Sequence, residues 1–245
     1  MANYLIIAAS SDIGCATASL LLAAGHRVFL TGRTQESIAN IASKLNSPYS
    51  LCDATNFEET DDVVKQSITE FGTLDGIVNC AGSLLLRAAH LTNQQQYHSV
   101  IDASLTTAFA TVHAAGKHLI NGGGSVVLIS SAAAMAGFSN HEAIAAAKAG
   151  IIGLTRSAAA TYAPNNLRFN AIAPGLTETR LTQTLTGNAT AKKISEGMHA
   201  LGRLGKPEDI ARAIAFFLDP LNNWITGQIL AVDGGLSSVR PKNHL

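Results

Sequence analysis

A chain of 245 residues has the size of one α/β domain with a sizeable core. Its 17 basic and 17 acidic side chains cancel and charged residues make up only 14%, so there is no basic field to hold nucleic acid or an anionic membrane. With 47% hydrophobic residues and little charge to keep a face soluble, the chain is expected to bury apolar surface against copies of itself as a homo-oligomer.

The first apolar run, Tyr4 to Ala8, ends in small polar residues and breaks after Ala9. It lacks a positive leader and reads as a first strand rather than a signal peptide. A helix with apolar spacing follows from Cys15 and closes on Gly25. The alternation continues through "RVFLTG", a helix after Thr34, "YSLCD", a helix over 56–71, "LDGIVNCAG", a long helix ending near Asn121, and "GSVVLISS". The Ala-rich helix that begins near His141 is followed by "RFNAIAPG" and "GQILAVDGG". Apolar strands separated by helical patterns indicate one parallel sheet with helices on both faces. Residues 175–206 are the least regular, and they follow a strand end where a mobile flap over a ligand belongs.

Cys15, Cys52 and Cys80 lack CxxC spacing, and His26, His90, His98, His113, His118, His199 and His244 are scattered, so neither a disulfide framework nor a metal site is expected. No run approaches the ~18 apolar residues of a membrane helix. A cytoplasmic protein is the expectation. In an open parallel sheet a ligand lies beyond the carboxyl ends of the strands, which directs attention to the loops after Ala8, Thr31, Cys52, Cys80, Ser130 and Ile172. Each carries small or polar residues, which are also ordinary turn chemistry.

"NCAG" at 79–82, "ISS" at 129–131, Lys148, "NAIAPGLTET" at 170–179, "GRLGKPEDIA" and "ITGQILAVDGG" stand together in one order and spacing. Over nearly its whole length the chain thus resembles the short-chain dehydrogenase/reductase family. The resemblance implies one domain over 1–245 with a flap at about 175–206. It implies a Rossmann fold with a doubly wound, seven-stranded parallel sheet, assembled as a homotetramer or homodimer. The implied activity is hydride transfer between NAD(P) and a small-molecule carbonyl, alcohol or conjugated compound.

The chain departs from the family pattern in three features. In the glycine-rich turn, "AASSDIG", Ala8 and Asp12 replace two glycines and only Gly14 remains. A carboxylate about 4 Å from a phosphate would cost a few kcal/mol at an effective dielectric near 20. Asp12 could also cap the helix; either the cofactor sits higher, or Asp12 points away, or binding is weak. Ile144 occupies the place of the family's tyrosine acid, although Ser131 and Lys148 keep theirs, and Ser104 occupies the place of a relay asparagine. On a helix already running at His141, that histidine shares a face with Ile144 and Lys148. It could supply the proton as imidazolium, or simply occupy the helix's first turn.

By resemblance, Ala8, Ser10, Ser11, Asp12, Ile13 and Gly14 would face the pyrophosphate, and Asp53 the adenine. Asn79, Ala81 and Gly82 would border the ribose, while Lys148, Pro174, Gly175 and Thr179 would lie toward the nicotinamide. Gly32 stands where NAD-preferring members carry an acid, and Arg33 follows. That favours NADP, with NAD still open. The substrate pocket would draw on Leu84, Leu85, Leu86, Arg87, Ala136, Phe138, Glu178, Arg180 and Met198. Two readings stay open: a reductase whose proton comes from His141 or from a water held by Ser131 and Lys148, or a non-catalytic nucleotide-binding or structural relative.

Overall fold

The computed structural model describes residues 1–240; His244 and the end of the expected 1–245 domain lie outside the described residues. Seven strands form the frame: β1 (Asn3–Ile7), β2 (Arg27–Gly32), β3 (Tyr49–Leu51), β4 (Gly76–Asn79), β5 (Gly124–Ile129), β6 (Leu167–Pro174) and β7 (Ile229–Val232). Between them run α1 (Asp12–Ala23), α2 (Gln35–Leu45), α3 (Phe57–Phe71), α4 (Gln94–Ile101), α5 (Thr107–His118) and α6 (Glu142–Tyr162). After β6 come α7 (Gln183–Thr186), α8 (Ala189–Met198) and α9 (Pro207–Leu218).

The strands make one sheet in the order β3-β2-β1-β4-β5-β6-β7, and every adjacent pair is parallel. This is the doubly wound α/β architecture the alternation implied. Strand periodicity divides the core. Leu5, Ile7, Ile77, Val126, Leu128 and Phe169 meet Val63 of α3, Val112 of α5 and Ile151 of α6. Their neighbours Tyr4, Ile6, Val78, Val127 and Ile172 meet Leu21 of α1, Ile38 of α2 and Ile214 of α9. Each such fully buried aliphatic side chain contributes about 1.5–3 kcal/mol, so both faces of every central strand hold the sheet in register.

The chain order reverses at β1 and β4, which are neighbours although 72 residues separate Asn3 from Asp75, whose carboxylate accepts the Asn3 amide at 2.7 Å. The loops that leave β1 and β4 therefore part to opposite faces and open a crevice between them.

The structure corrects three element boundaries. The long helix expected to end near Asn121 is α4 and α5 joined by a π-turn over Asp102–Thr106, an inserted residue that residue spacing does not reveal. Helix α6 begins at Glu142, with His141 as its cap. The segment 175–206 is largely helical, carrying a short 3₁₀ turn (Arg180–Thr182), α7 and α8. Its Thr- and Lys-rich helices bury no side chain fully and so leave no apolar stripe to read.

Candidate active site

The carboxyl ends of the strands enclose a cavity of about 850 Å³, toward the upper end of the ~300–1,000 Å³ typical of ligand sites. All but three of the residues assigned to cofactor or catalysis from the sequence line it; the exceptions are Gly14, Asn79 and Ser104.

At the end of β1 the chain must turn sharply. Ala8 takes a left-handed φ of 57°, a conformation that costs a residue with a Cβ roughly 1 kcal/mol. The glycine expected here thus served the backbone, and the extra methyl carries a conformational penalty beyond its volume. A Cβ on Gly14 would come within 2.7 Å of the Ala8 carbonyl oxygen, so Gly14 is needed for the turn itself and stays out of the cavity wall.

Ser11, rather than Asp12, caps α1: its side chain accepts the Gly14 amide at 3.1 Å. Among the described residues the amides of Asp12 and Ile13 have no internal partner, so both remain available to an anion at the helix start. The Asp12 carboxylate turns to the segment after β6. It accepts the Arg180 amide at 2.7 Å and the Arg180 Nε–H at 2.9 Å. A guanidinium thus neutralises the carboxylate that was expected to repel phosphate. These features fit a dinucleotide diphosphate.

At the ends of β2 and β3, Arg33, Thr34, Ser37 and Asp53 line the cavity with Ser10. The Asp53 carboxyl is held below the ordinary range, first by the Thr55 amide at 3.0 Å, then by the Thr55 hydroxyl and Arg33, against the opposing effect of burial. Asn79 instead knits the scaffold: its side chain accepts the Ala81 amide at 2.8 Å and donates to Thr111 at 2.9 Å. It shapes the loop whose Ala81 and Gly82 reach the cavity.

At the other end, Ser130 gives its hydroxyl to the Lys148 carbonyl at 2.9 Å, while Ser131 caps a short turn by accepting the Ala133 amide at 3.1 Å. Ser131, Lys148 and His141 line the cavity together. Lys148 donates its Nζ–H to the Ile129 carbonyl at 2.7 Å. Burial pushes this lysine down to about 8; its neighbour Cys80, pushed up to about 12 by burial, remains a neutral thiol at pH 7. His141 bonds the Ser139 carbonyl through Nδ1 at 2.8 Å. A carbonyl only accepts, so Nδ1 carries a hydrogen in every protonation state and Nε2 carries the exchangeable one.

Ile144 is 4% exposed and packs with Val100, Ala143 and Ala147, contributing an apolar piece of the cavity wall. Ser104 lies in the π-turn with its hydroxyl buried and unpartnered, while its neighbours Ala103 and Thr107 reach the cavity. The substrate-side set also needs correction. Leu84, Leu86, Phe138, Arg180 and Met198 line the cavity, whereas Leu85 borders a smaller adjoining pocket and Ala136 lines neither. Arg87 donates to the Leu91 carbonyl, and Glu178 pairs with Lys192; neither lines the cavity.

Sequence reasoning missed His199. It is 3% exposed, lines the cavity, donates from Nδ1 to the Ser195 carbonyl at 2.6 Å and accepts the Leu176 amide at 3.3 Å. Its ring lies within 2.9 Å of where a Gly175 Cβ would stand, so glycine is required for the strand end to pass the histidine. Among the described residues, no group of three or more His, Cys, Asp or Glu side chains is arranged to hold a metal. No helix among them is long and apolar enough to cross a membrane.

Residues 7–237 match the family model described as enoyl-(acyl carrier protein) reductase. The chain is 35% identical over 238 residues to carbonyl reductase family member 4 of Danio rerio, covering 94% of this chain and 96% of that one. Among solved structures it resembles a short-chain type dehydrogenase/reductase from Mycobacterium ulcerans, with TM-score 0.93, 29% identity, and 98% and 91% of the two chains covered. It also resembles ElxO with NADP bound, with TM-score 0.90, 29% identity, and 97% and 99% covered.

Proposed function

The chain belongs to the short-chain dehydrogenase/reductase family, and from that premise we propose that it is an NADP(H)-dependent oxidoreductase acting on a small carbonyl, alcohol or conjugated substrate with an altered proton donor. The observation that carries this reading is one cavity with diphosphate-binding features at one end and Ser131, Lys148 and His141 at the other. NADPH, when bound, supplies the hydride.

The chain's own residues do the rest. The amides of Asp12 and Ile13 would take the diphosphate, and Arg33 with Ser10, Thr34 and Ser37 would favour a 2′-phosphate. NADP bound in the ElxO neighbour supports the same choice. Ala81 and Gly82 would border the ribose, and Pro174, Gly175 and Thr179 would flank the nicotinamide. Leu84, Leu86, Phe138, Ile144 and Met198 exclude water from an apolar substrate, strengthening any polar interaction made there.

The proton has two sources within the cavity. The first is the His141 imidazolium, whose Nε2 proton is the one free to leave. The second is a water held by Ser131 and Lys148. Ile144 cannot take part, and a positioned acid is worth about 10²–10⁴ in rate. A substrate that needs proton transfer less, such as a conjugated carbonyl, suits such a site. Assembly into a homo-oligomer belongs to the same reading, supported by the scarcity of charged residues, 14% of the chain.

The test is NADPH oxidation with a panel of ketones, aldehydes and enones, using wild type, His141→Ala and Lys148→Met. Turnover lost in one of the two variants identifies the proton route. Nucleotide binding with no turnover on any compound would favour the non-catalytic relative, which Ile144 in the acid's place makes the leading alternative.

A further inference from the structure

We propose that Asp12 and Arg180 form a clasp across the mouth of the nucleotide half of the cavity, in which Arg180 is a diphosphate-binding residue supplied by the flap. This inference rests on the nucleotide site proposed above and adds to it a residue and a reason for the unusual aspartate.

Asp12 and Arg180 lie 168 residues apart and belong to opposite halves of the sheet, one after β1 and the other after β6. Two bonds join them, the Asp12 carboxylate accepting the Arg180 amide at 2.7 Å and Nε–H at 2.9 Å, and a third ties the same arginine to the loop before α1, Nη2 donating to the Ser10 carbonyl. Ser10, Ser11, Asp12 and Arg180 all line the cavity, so the bridge spans its edge beside the start of α1. Asp12 has no capping duty, because Ser11 already holds the Gly14 amide. Arg180 is fixed as the first residue of a 3₁₀ turn capped by Thr179, whose hydroxyl accepts the Thr182 amide at 3.3 Å.

The pair therefore does two things at once. The guanidinium cancels the carboxylate that would repel a phosphate, and the bonds tie the flap down over α1. Arginine offers five N–H donors. Nε and one Nη2 hydrogen are committed, which leaves the other three for the oxygens of a nucleotide diphosphate. A glycine turn leaves this edge open. Here a removable side-chain contact closes it, so entry and release of nucleotide require the clasp to part.

The experiment compares NADPH affinity and release rate, followed by nucleotide fluorescence, in wild type, Arg180→Ala, Asp12→Gly and the double variant. Both side chains are partly exposed at 65% and 28%, so the variants should fold, and melting curves verify that they do. Arg180→Ala should weaken binding about tenfold to a hundredfold, the worth of charge-assisted hydrogen bonds plus an unmasked carboxylate. The double variant should recover about tenfold of that loss, because the exposed carboxylate is gone. Asp12→Gly alone should speed release. Amide exchange of residues 177–186 without nucleotide should rise in either single variant.

Wild-type protein that binds NADPH while Arg180→Ala binds it equally well would overturn the clasp alone. A double variant no better than Arg180→Ala would overturn the charge-masking role. Wild-type protein that binds neither NADPH nor NADH would overturn the nucleotide site, and the diphosphate role of Arg180 with it.

Discussion

The two ends of the cavity are built in opposite ways. At the β1–α1 end, where the family pattern leads one to expect a glycine, the Asp12 carboxylate is occupied by the amide and guanidinium of Arg180. At the α6 end Ile144 sits among Val100, Ala143 and Ala147, while Ser131 and Lys148 line the cavity beside it. A carboxylate at the start of a helix beside a cavity is neutralised by a partner, and that partner is visible. An isoleucine side chain brings no charge or hydrogen bond to satisfy, so Ile144 is met by apolar packing alone. One end holds a neutralised carboxylate, and the other sets an apolar side chain beside Ser131 and Lys148.

The sharpest way to break that contrast is at the α6 end. Lys148→Met should lower kcat by about 10²–10⁴, as removal of a proton-relay group does, while leaving the fold intact. Steady-state NADPH oxidation measures it, and unchanged kcat would mean that the α6 end takes no part in chemistry. The same variant has a stability signature. Burial lowers Lys148 to about 8 in the folded chain against about 10.5 in an exposed lysine. The folded protein therefore carries the full cost of the buried ammonium below about pH 8 and sheds it as pH rises toward about 10.5. Relative to Lys148→Met, wild type should gain up to about 3 kcal/mol across that window. Urea melts at pH 7, 8, 9 and 10 would follow it.

At the nucleotide end the expected effects are smaller. Arg33→Ala should cost about tenfold in NADPH affinity, or roughly 1.4 kcal/mol, and leave NADH nearly unchanged. Equal losses for both would show that Arg33 does not read the 2′-phosphate. Ala8→Gly should stabilise the protein by about 1 kcal/mol, because it relieves the left-handed φ of 57°. That corresponds to a rise in Tm of roughly 2–4 °C for a chain of this size.

Much of the scaffold could be read from residue pattern because every central strand is an apolar run ending in small or polar residues. Leu5 and Ile7 face one layer of helices while Tyr4 and Ile6 face the other, so the runs are continuous and conspicuous. Helices α7 and α8 bury no side chain fully and hid for that reason. A place in the cavity wall was legible where it follows from a position in a strand-end loop, as for Ser131, Arg33 and Asp53. It was not legible where the role depends on meeting a distant residue. Asp12 could be seen to be wrong for a glycine turn, but nothing near it in sequence names Arg180. His199 likewise lies in an irregular stretch and becomes part of the cavity wall only when the flap folds back to Leu176.

The most direct test of an intact nucleotide end is a calorimetric titration of the purified protein with NADPH and, separately, with NADH. Micromolar binding of NADPH with weaker binding of NADH is the expected result, and it would show that Asp12 is accommodated and that the cavity holds a hydride donor. Binding of neither nucleotide would contradict it and remove the basis for an oxidoreductase.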